Sequence, residues 1–187
     1  MNRRRLALSL ALVALGLAVA ALWRQLWLER RVTAPIRAAA ARYGVDPLLV
    51  RAVMWRESRL RPEARGGHGE IGLMQLRETA AQEWADAEHV AAFQHPDCLD
   101  AGTNALAGTF YLAKLLKRYT QTDNPVPYAL ADYNAGRGNV VKWNDGAAAT
   151  NSALFLRQIG FPQTRAYVES VMRRRALYAA LARLGWP

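Results

Sequence analysis

One glutamate stands where its chemistry would change. Residues 47–60 read as a helix, and in it Val50, Val53 and Met54 lie seven, four and three positions before Glu57, the spacing that puts all four side chains on one face. A carboxyl on an apolar stripe loses hydration, which disfavours its anion and raises its pKa. That is the condition for holding a proton near neutral pH and acting as a general acid. The competing reading leaves Glu57 on an exposed last turn, paired with Arg56, Arg59 or Arg61, as ordinary surface glutamates are. A second acid, Glu70, lies among the four glycines of residues 65–72, where a loop carboxylate could position a water molecule.

Other reactive patterns carry less. Gly67, Gly69 and Gly72 have the spacing of a dinucleotide-binding turn, but that turn follows a buried strand, and residues 59–65 are charged and broken by Pro62. His89, His95 and Cys98 have no evident fourth partner and fit no standard zinc spacing, so no metal is expected. Ser9, Ser58, Ser152 and Ser170 show no nucleophile elbow. No cofactor is expected either, and the single cysteine excludes an intrachain disulfide.

The neighbours of Glu57 narrow the field. Glu57-Ser58, Pro62, Ala64, residues 69–76 (Gly-Glu-Ile-Gly-Leu-Met-Gln-Leu) and Thr79-Ala80 resemble the signature of soluble-type lytic transglycosylases, the SLT domain, which are relatives of goose-type lysozyme. Three later blocks match in order. They are Asn104 with Gly108, Tyr111-Leu112 and Leu115-Leu116; then residues 129–136 (Ala-Leu-Ala-Asp-Tyr-Asn-Ala-Gly) with Gly138-Asn139-Val140 and Trp143; then Pro162, Thr164-Arg165 and Tyr167-Val168. The resemblance spans residues 36–172 and implies an all-α, lysozyme-like helical domain that cleaves peptidoglycan glycan strands between N-acetylmuramic acid and N-acetylglucosamine. It implies that Glu57 protonates the glycosidic oxygen and then, as a base, activates the muramic C6 hydroxyl, leaving 1,6-anhydro ends.

By the same resemblance Met74 and Gln75 would line the sugar groove, Tyr133 would reach Glu57 by a hydrogen bond, and Asn134 would shape that wall. The chain departs from the family pattern at three places. Gly66 stands where a serine that helps hold the substrate's acyl group is frequent, Arg77-Glu78 replaces a common Met-Pro, and Gln163 takes the place of a glutamate. Gln163 can still hydrogen-bond to substrate without a charge. The alternative activity is a lysozyme-type muramidase in which Glu70 positions water. A catalytically silent glycan-binding module would be expected to have lost Glu57.

Helices must position these residues. Thr33 and Pro35 read as a helix start, with the helix continuing to Tyr43 and stopping at Gly44, and Asp46-Pro47 as the cap and first turn of the helix that carries Glu57. Further helices are expected at about 77–85, 100–119, 126–134 and 163–184, with polar loops at 120–127 and 144–152 and no alternating strand.

The chain of 187 residues suits one domain with an appendage, and 52% hydrophobic against 21% charged residues excludes disorder. The appendage is the N-terminus. Residues 6–23 carry no charge, which is long enough for a membrane-spanning helix, with Trp23 and Trp27 suited to the interface. Ala18-Val19-Ala20 offers the rival reading of a cleaved signal and a secreted protein. The expected division is an anchor with a basic juxtamembrane stretch at 1–32 and a catalytic domain at 33–187. The cluster Arg3, Arg4 and Arg5 favours an inside N-terminus in a bacterial inner membrane, with the domain in the periplasm or otherwise outside.

The formal charge of +10 points to an anionic partner. Half of the excess lies in residues 1–32, where six arginines face one glutamate. Arg173, Arg174 and Arg175 on the last helix raise the alternative of a non-catalytic basic module binding acidic lipid or nucleic acid. No aromatic-basic interleaving accompanies them, so no nucleic acid is expected.

Overall fold

The computed structural model describes residues 3–185; residues 1, 2, 186 and 187, at the ends of the two expected segments, lie outside the described residues. Two compact units are present, Met1–Ala34 and Pro35–Pro187. Among the described residues there is no strand, only isolated antiparallel bridges of Ile71 with Arg65 and Leu76.

The first helix, α1 (Arg3–Tyr43), is one element of 41 residues. Every side chain from 7 to 24 is exposed, and the most apolar window has a mean hydropathy of 2.0, so the helix is long and apolar enough to cross a membrane. The helix start expected at Thr33 and Pro35 is overturned. The Thr33 hydroxyl donates to the Glu29 carbonyl at 2.8 Å, as a threonine inside a helix does, and Pro35 lies within the helix, removing one N–H from its ladder. The helix ends at Gly44, whose φ of +65° lets the Val45 amide turn back to the Ala40 carbonyl at 3.1 Å.

Asp46 then caps α2 (Pro47–Ser58), its carboxylate accepting the Leu48 amide at 2.9 Å, with Pro47 in the first turn. Leu49, Val50, Val53 and Met54 are all buried. After a long loop come α3 (Glu78–Ala87), a 3-10 turn (His95–Leu99), α4 (Ala101–Arg118) and α5 (Pro125–Ala135). The α5 helix is apolar on all sides and buried from Pro127 through Asp132, as suits a central helix. Tyr128 on it stacks between Tyr119 and Phe155, at centroid distances of 5.6 and 4.0 Å.

Three elements follow that helical periodicity does not reveal: α6 (Arg137–Trp143), a 3-10 turn (Gly146–Ala149) inside the expected polar loop, and α7 (Ser152–Gln158). Each is seven residues or shorter, too brief to show a repeating apolar face, and each is held by one or two buried side chains, Val140 and Trp143, Ala148, and Phe155 in turn. The last helix, α8 (Pro162–Arg183), buries Tyr167, Val168 and Val171.

Candidate active site

The Glu57 side chain emerges at the end of α2 because the helix is stopped abruptly. Arg59 and Leu60 adopt left-handed conformations, with φ of 57° and 63°, and the Arg59 amide returns to the Trp55 carbonyl at 3.0 Å. Buried Ser58 then ties the helix end to the following loop, since its hydroxyl lies within hydrogen-bond distance of the carbonyls of Met54 (3.0 Å) and Leu73 (2.8 Å).

That loop is fixed from α4. Asn104, fully buried, accepts the Met74 amide at 2.8 Å and donates to the carbonyls of Ile71 (3.0 Å) and Cys98 (2.8 Å), so three main-chain groups find their partners on one side chain. Gly72, at φ +79°, lies so near that a Cβ would stand 2.0 Å from the Asn104 amide nitrogen. At Gly108 the missing side chain makes room for Met74, whose sulfur would be 2.3 Å from a Cβ there. The Met74 side chain is therefore sunk in the core with no exposed surface, not lining a groove as expected. Its neighbour Gln75 turns the other way, at φ +48°, with its side-chain nitrogen donating to the carbonyls of Gly72 and Ala64.

A cavity of about 570 Å³ opens beside this loop, lined by Glu57, Glu70, Gln75, Arg77, Tyr111, Tyr133 and Asn134 among others. Within it the Glu57 carboxyl is raised above the ordinary glutamate range, chiefly by burial. A hydrogen bond from Tyr167 and the charge of Arg56 oppose the shift, and the charge of Glu70 adds to it. The bond is short, the Tyr167 hydroxyl donating to Glu57 Oε1 at 2.6 Å. The family resemblance implies Tyr133 in this role. Tyr133 instead donates to the Met74 carbonyl at 2.7 Å, braces the loop and tilts against Tyr111 at a centroid distance of 5.6 Å. The contact from Tyr167 spans 110 positions of sequence, and the only signal for it was the Tyr167-Val168 pair of the last block.

The Glu70 carboxylate has the opposite environment. Partial burial pushes it up, but Arg77, at 2.8–2.9 Å, and the His68 amide, at 3.0 Å, outweigh that and hold it below the ordinary range. One cavity thus holds a carboxyl shifted toward its protonated form and another shifted toward its anion, the separation that divides acid and anion roles in one site. A third acid at the wall, Asp132, is buried and committed to Arg118 and Tyr119.

Gln163 lines a neighbouring cleft of about 830 Å³ with Arg56 and Phe161, and Asn134 and Ala135 border both spaces. Elsewhere, His95 bonds to the Leu76 carbonyl, and burial pushes the Cys98 thiol up to about 12. Among the described residues no group of three His, Cys, Asp or Glu side chains could hold a metal. The arginine run of α8 is engaged within the domain. Arg174 stacks 3.4 Å from the centroid of Trp55, which Arg59 also covers at 3.5 Å, while Arg173 meets Glu169 and Arg175 meets Asp46.

Comparison with known proteins agrees with this architecture. The family model for the transglycosylase SLT domain matches residues 34–156. The membrane-bound lytic murein transglycosylase F of Desulfosudis oleivorans is 37% identical over 108 residues, 56% of this chain and 22% of that protein. The soluble lytic murein transglycosylase of Escherichia coli is 32% identical over 129 residues, 68% of this chain and 20% of that protein. Among solved structures, the lytic transglycosylase Slt of Pseudomonas aeruginosa, an inactive mutant, superposes with a TM-score of 0.73 at 25% identity over 80% of this chain and 24% of that one. The 70 kDa soluble lytic transglycosylase of Escherichia coli gives 0.71 at 26% identity over 84% and 26%. The chain spans only about a fifth of the length of these curated relatives. The expected all-α, lysozyme-like fold is the fold of these neighbours. With a family match covering most of its length, the chain belongs to the transglycosylase SLT domain family.

Proposed function

We propose that the domain is a peptidoglycan lytic transglycosylase, and the observation that carries this reading is the Glu57 carboxyl, raised by burial, facing a cavity in which Arg77 holds Glu70 below the ordinary carboxylate range. Glu57 gives its proton to the oxygen linking N-acetylmuramic acid to N-acetylglucosamine, and the C1–O bond breaks. The Glu57 carboxylate then takes the proton of the muramic C6 hydroxyl as that oxygen bonds to C1. The acid is regenerated and no water is consumed. The C6 hydroxyl is already attached to the reacting sugar, and effective concentrations of oriented intramolecular groups reach about 10⁵ M or more, far above water as a reactant.

Gln75, Tyr133 and Asn134 border the cavity and Gln163 the adjoining cleft, so these four are the proposed sugar contacts. Met74 acts from below by holding the loop. The structural neighbour from Pseudomonas aeruginosa is an inactive mutant with a Glu-to-Gln exchange, which supports a single glutamate as the working acid. Glu70 is a poor base for water, because Arg77 and the His68 amide already occupy its oxygens. Digestion of purified sacculi in ¹⁸O-labelled water is expected to give anhydro-muramic ends without label. Labelled reducing muramic ends that vanish in Glu70→Ala would establish a muramidase.

Membrane-bound relatives and the exposed apolar stretch of α1 are consistent with membrane anchoring. We place the anchor in the bacterial inner membrane with the domain on the outer side, among glycan strands whose peptide carboxylates complement the basic chain. The full chain is expected to fractionate with membranes and resist extraction by high salt or carbonate; soluble protein starting at Ala21 would show a cleaved signal instead.

A further inference from the structure

Gly66 cannot carry a side chain without disturbing the cavity wall. A Cβ there would stand 2.5 Å from Glu70 Oε2, 2.9 Å from Gln75 Oε1 and 3.1 Å from Glu70 Cβ. Glu70 is no loose end that could swing aside at little cost. Arg77 Nε donates to Oε1 at 2.9 Å, the His68 amide donates to Oε2 at 3.0 Å, and the Gly66 amide itself donates to the Glu70 carbonyl at 2.7 Å. The Gln75 side chain is equally committed, its nitrogen held by the Gly72 and Ala64 carbonyls. Residues 66, 70 and 75 therefore compete for one volume, and both Glu70 and Gln75 face the cavity that holds Glu57.

We propose that Glu70, clamped by Arg77, is a positioning residue of the Glu57 cavity, and that residues 66 and 70 are alternative sources of the one side chain this part of the wall can hold. The inference rests on the cleavage reading above and adds to it the identity of the group at this position. Glu70 acts through its neighbours: it closes the space into which Gln75 would otherwise move, and its charge favours the protonated form of Glu57. A hydroxyl side chain at residue 66 would present a neutral donor and acceptor here. The Glu70 carboxylate accepts only, and its oxygens are already taken by Arg77 and the His68 amide.

Four full-length proteins test this on sacculi: the natural chain, Gly66→Ser, Glu70→Ala, and the two changes together. Gly66→Ser is expected to lower kcat by about tenfold to a hundredfold, the scale of a misplaced catalytic neighbourhood. Glu70→Ala alone lowers it as well, and the pair returns to within about threefold of the natural chain because the serine takes the vacated space. A pair as poor as the product of its single changes overturns the proposal. Glu70→Gln supplies a readout that a purely structural role would not move, and it decides the matter even if Gly66→Ser fails to fold. Loss of the negative charge lets Glu57 ionise at lower pH, so the high-pH limb of kcat/KM moves to lower pH while the melting temperature holds. An unmoved limb overturns the proposal. A natural chain inactive on sacculi would defeat the cleavage reading itself, a result visible before any variant is compared.

Discussion

Glu57→Gln keeps the fold and lowers the rate of glycan cleavage by at least about 10²–10⁴, the contribution general acid–base assistance usually makes. The amide is nearly the shape of the carboxyl and can still accept the Tyr167 hydroxyl, but it has no acidic proton to give to the glycosidic oxygen. Circular dichroism and melting should match those of the natural chain, so the loss is one of chemistry. Clearance of sacculi at the natural rate by the purified variant would remove Glu57 from the mechanism. The pH profile offers a companion measurement with a definite sign. Because burial raises the Glu57 carboxyl and the Tyr167 bond partly offsets this, Tyr167→Phe should raise it further and carry the high-pH limb of kcat/KM to higher pH.

The second large effect is expected far from any reacting atom. Asn104→Ala strands the Met74 amide and the carbonyls of Ile71 and Cys98, in a place where the asparagine has no exposed surface. Each buried unpartnered group costs about 1–3 kcal/mol, so a total of roughly 3 kcal/mol or more is expected, or about 10 °C in melting temperature for a domain of this size. Activity should fall beyond what the stability change explains, since the same loop sets Gln75 and, through the Met74 carbonyl, Tyr133. A thermal melt with a parallel activity assay below the transition checks both parts. A variant that melts within a degree of the natural chain would show that water replaces the asparagine without loss.

What could be read from the sequence followed the reach of the signals. The 3.6-residue period placed Glu57 on the stripe of Val50, Val53 and Met54, and the cap at Asp46 fixed where that helix begins, because both are local properties. Helices α4, α5 and α8 are long enough for the same period to speak. In α6, Gly138 and the adjacent valines are poor helix formers, and only the burial of Val140 and Trp143 explains why the segment coils. At Thr33 and Pro35 a local start signal was outvoted by the helix already running on both sides.

The site was partly hidden for a related reason. Which tyrosine meets Glu57 depends on how α8 packs against α2, and no spacing rule separates Tyr133 from Tyr167 across such a distance. The burial of Met74 likewise depends on a hole left by Gly108, 34 positions later in the chain. Glycine 66 was legible as a departure from the family pattern, but its meaning required seeing Glu70 occupy the space.

Helix α5 borders the site and carries an unbroken buried run at once, since Tyr133 and Asn134 follow directly on the buried residues from Pro127 to Asp132. Its amides should therefore exchange with solvent only when the whole domain opens, whereas those of residues 65–70, held by few bonds on an exposed loop, should exchange through local fluctuations. The two walls of the cavity should then differ in kind: one as durable as the fold itself, and the other opening locally without any element of the core letting go.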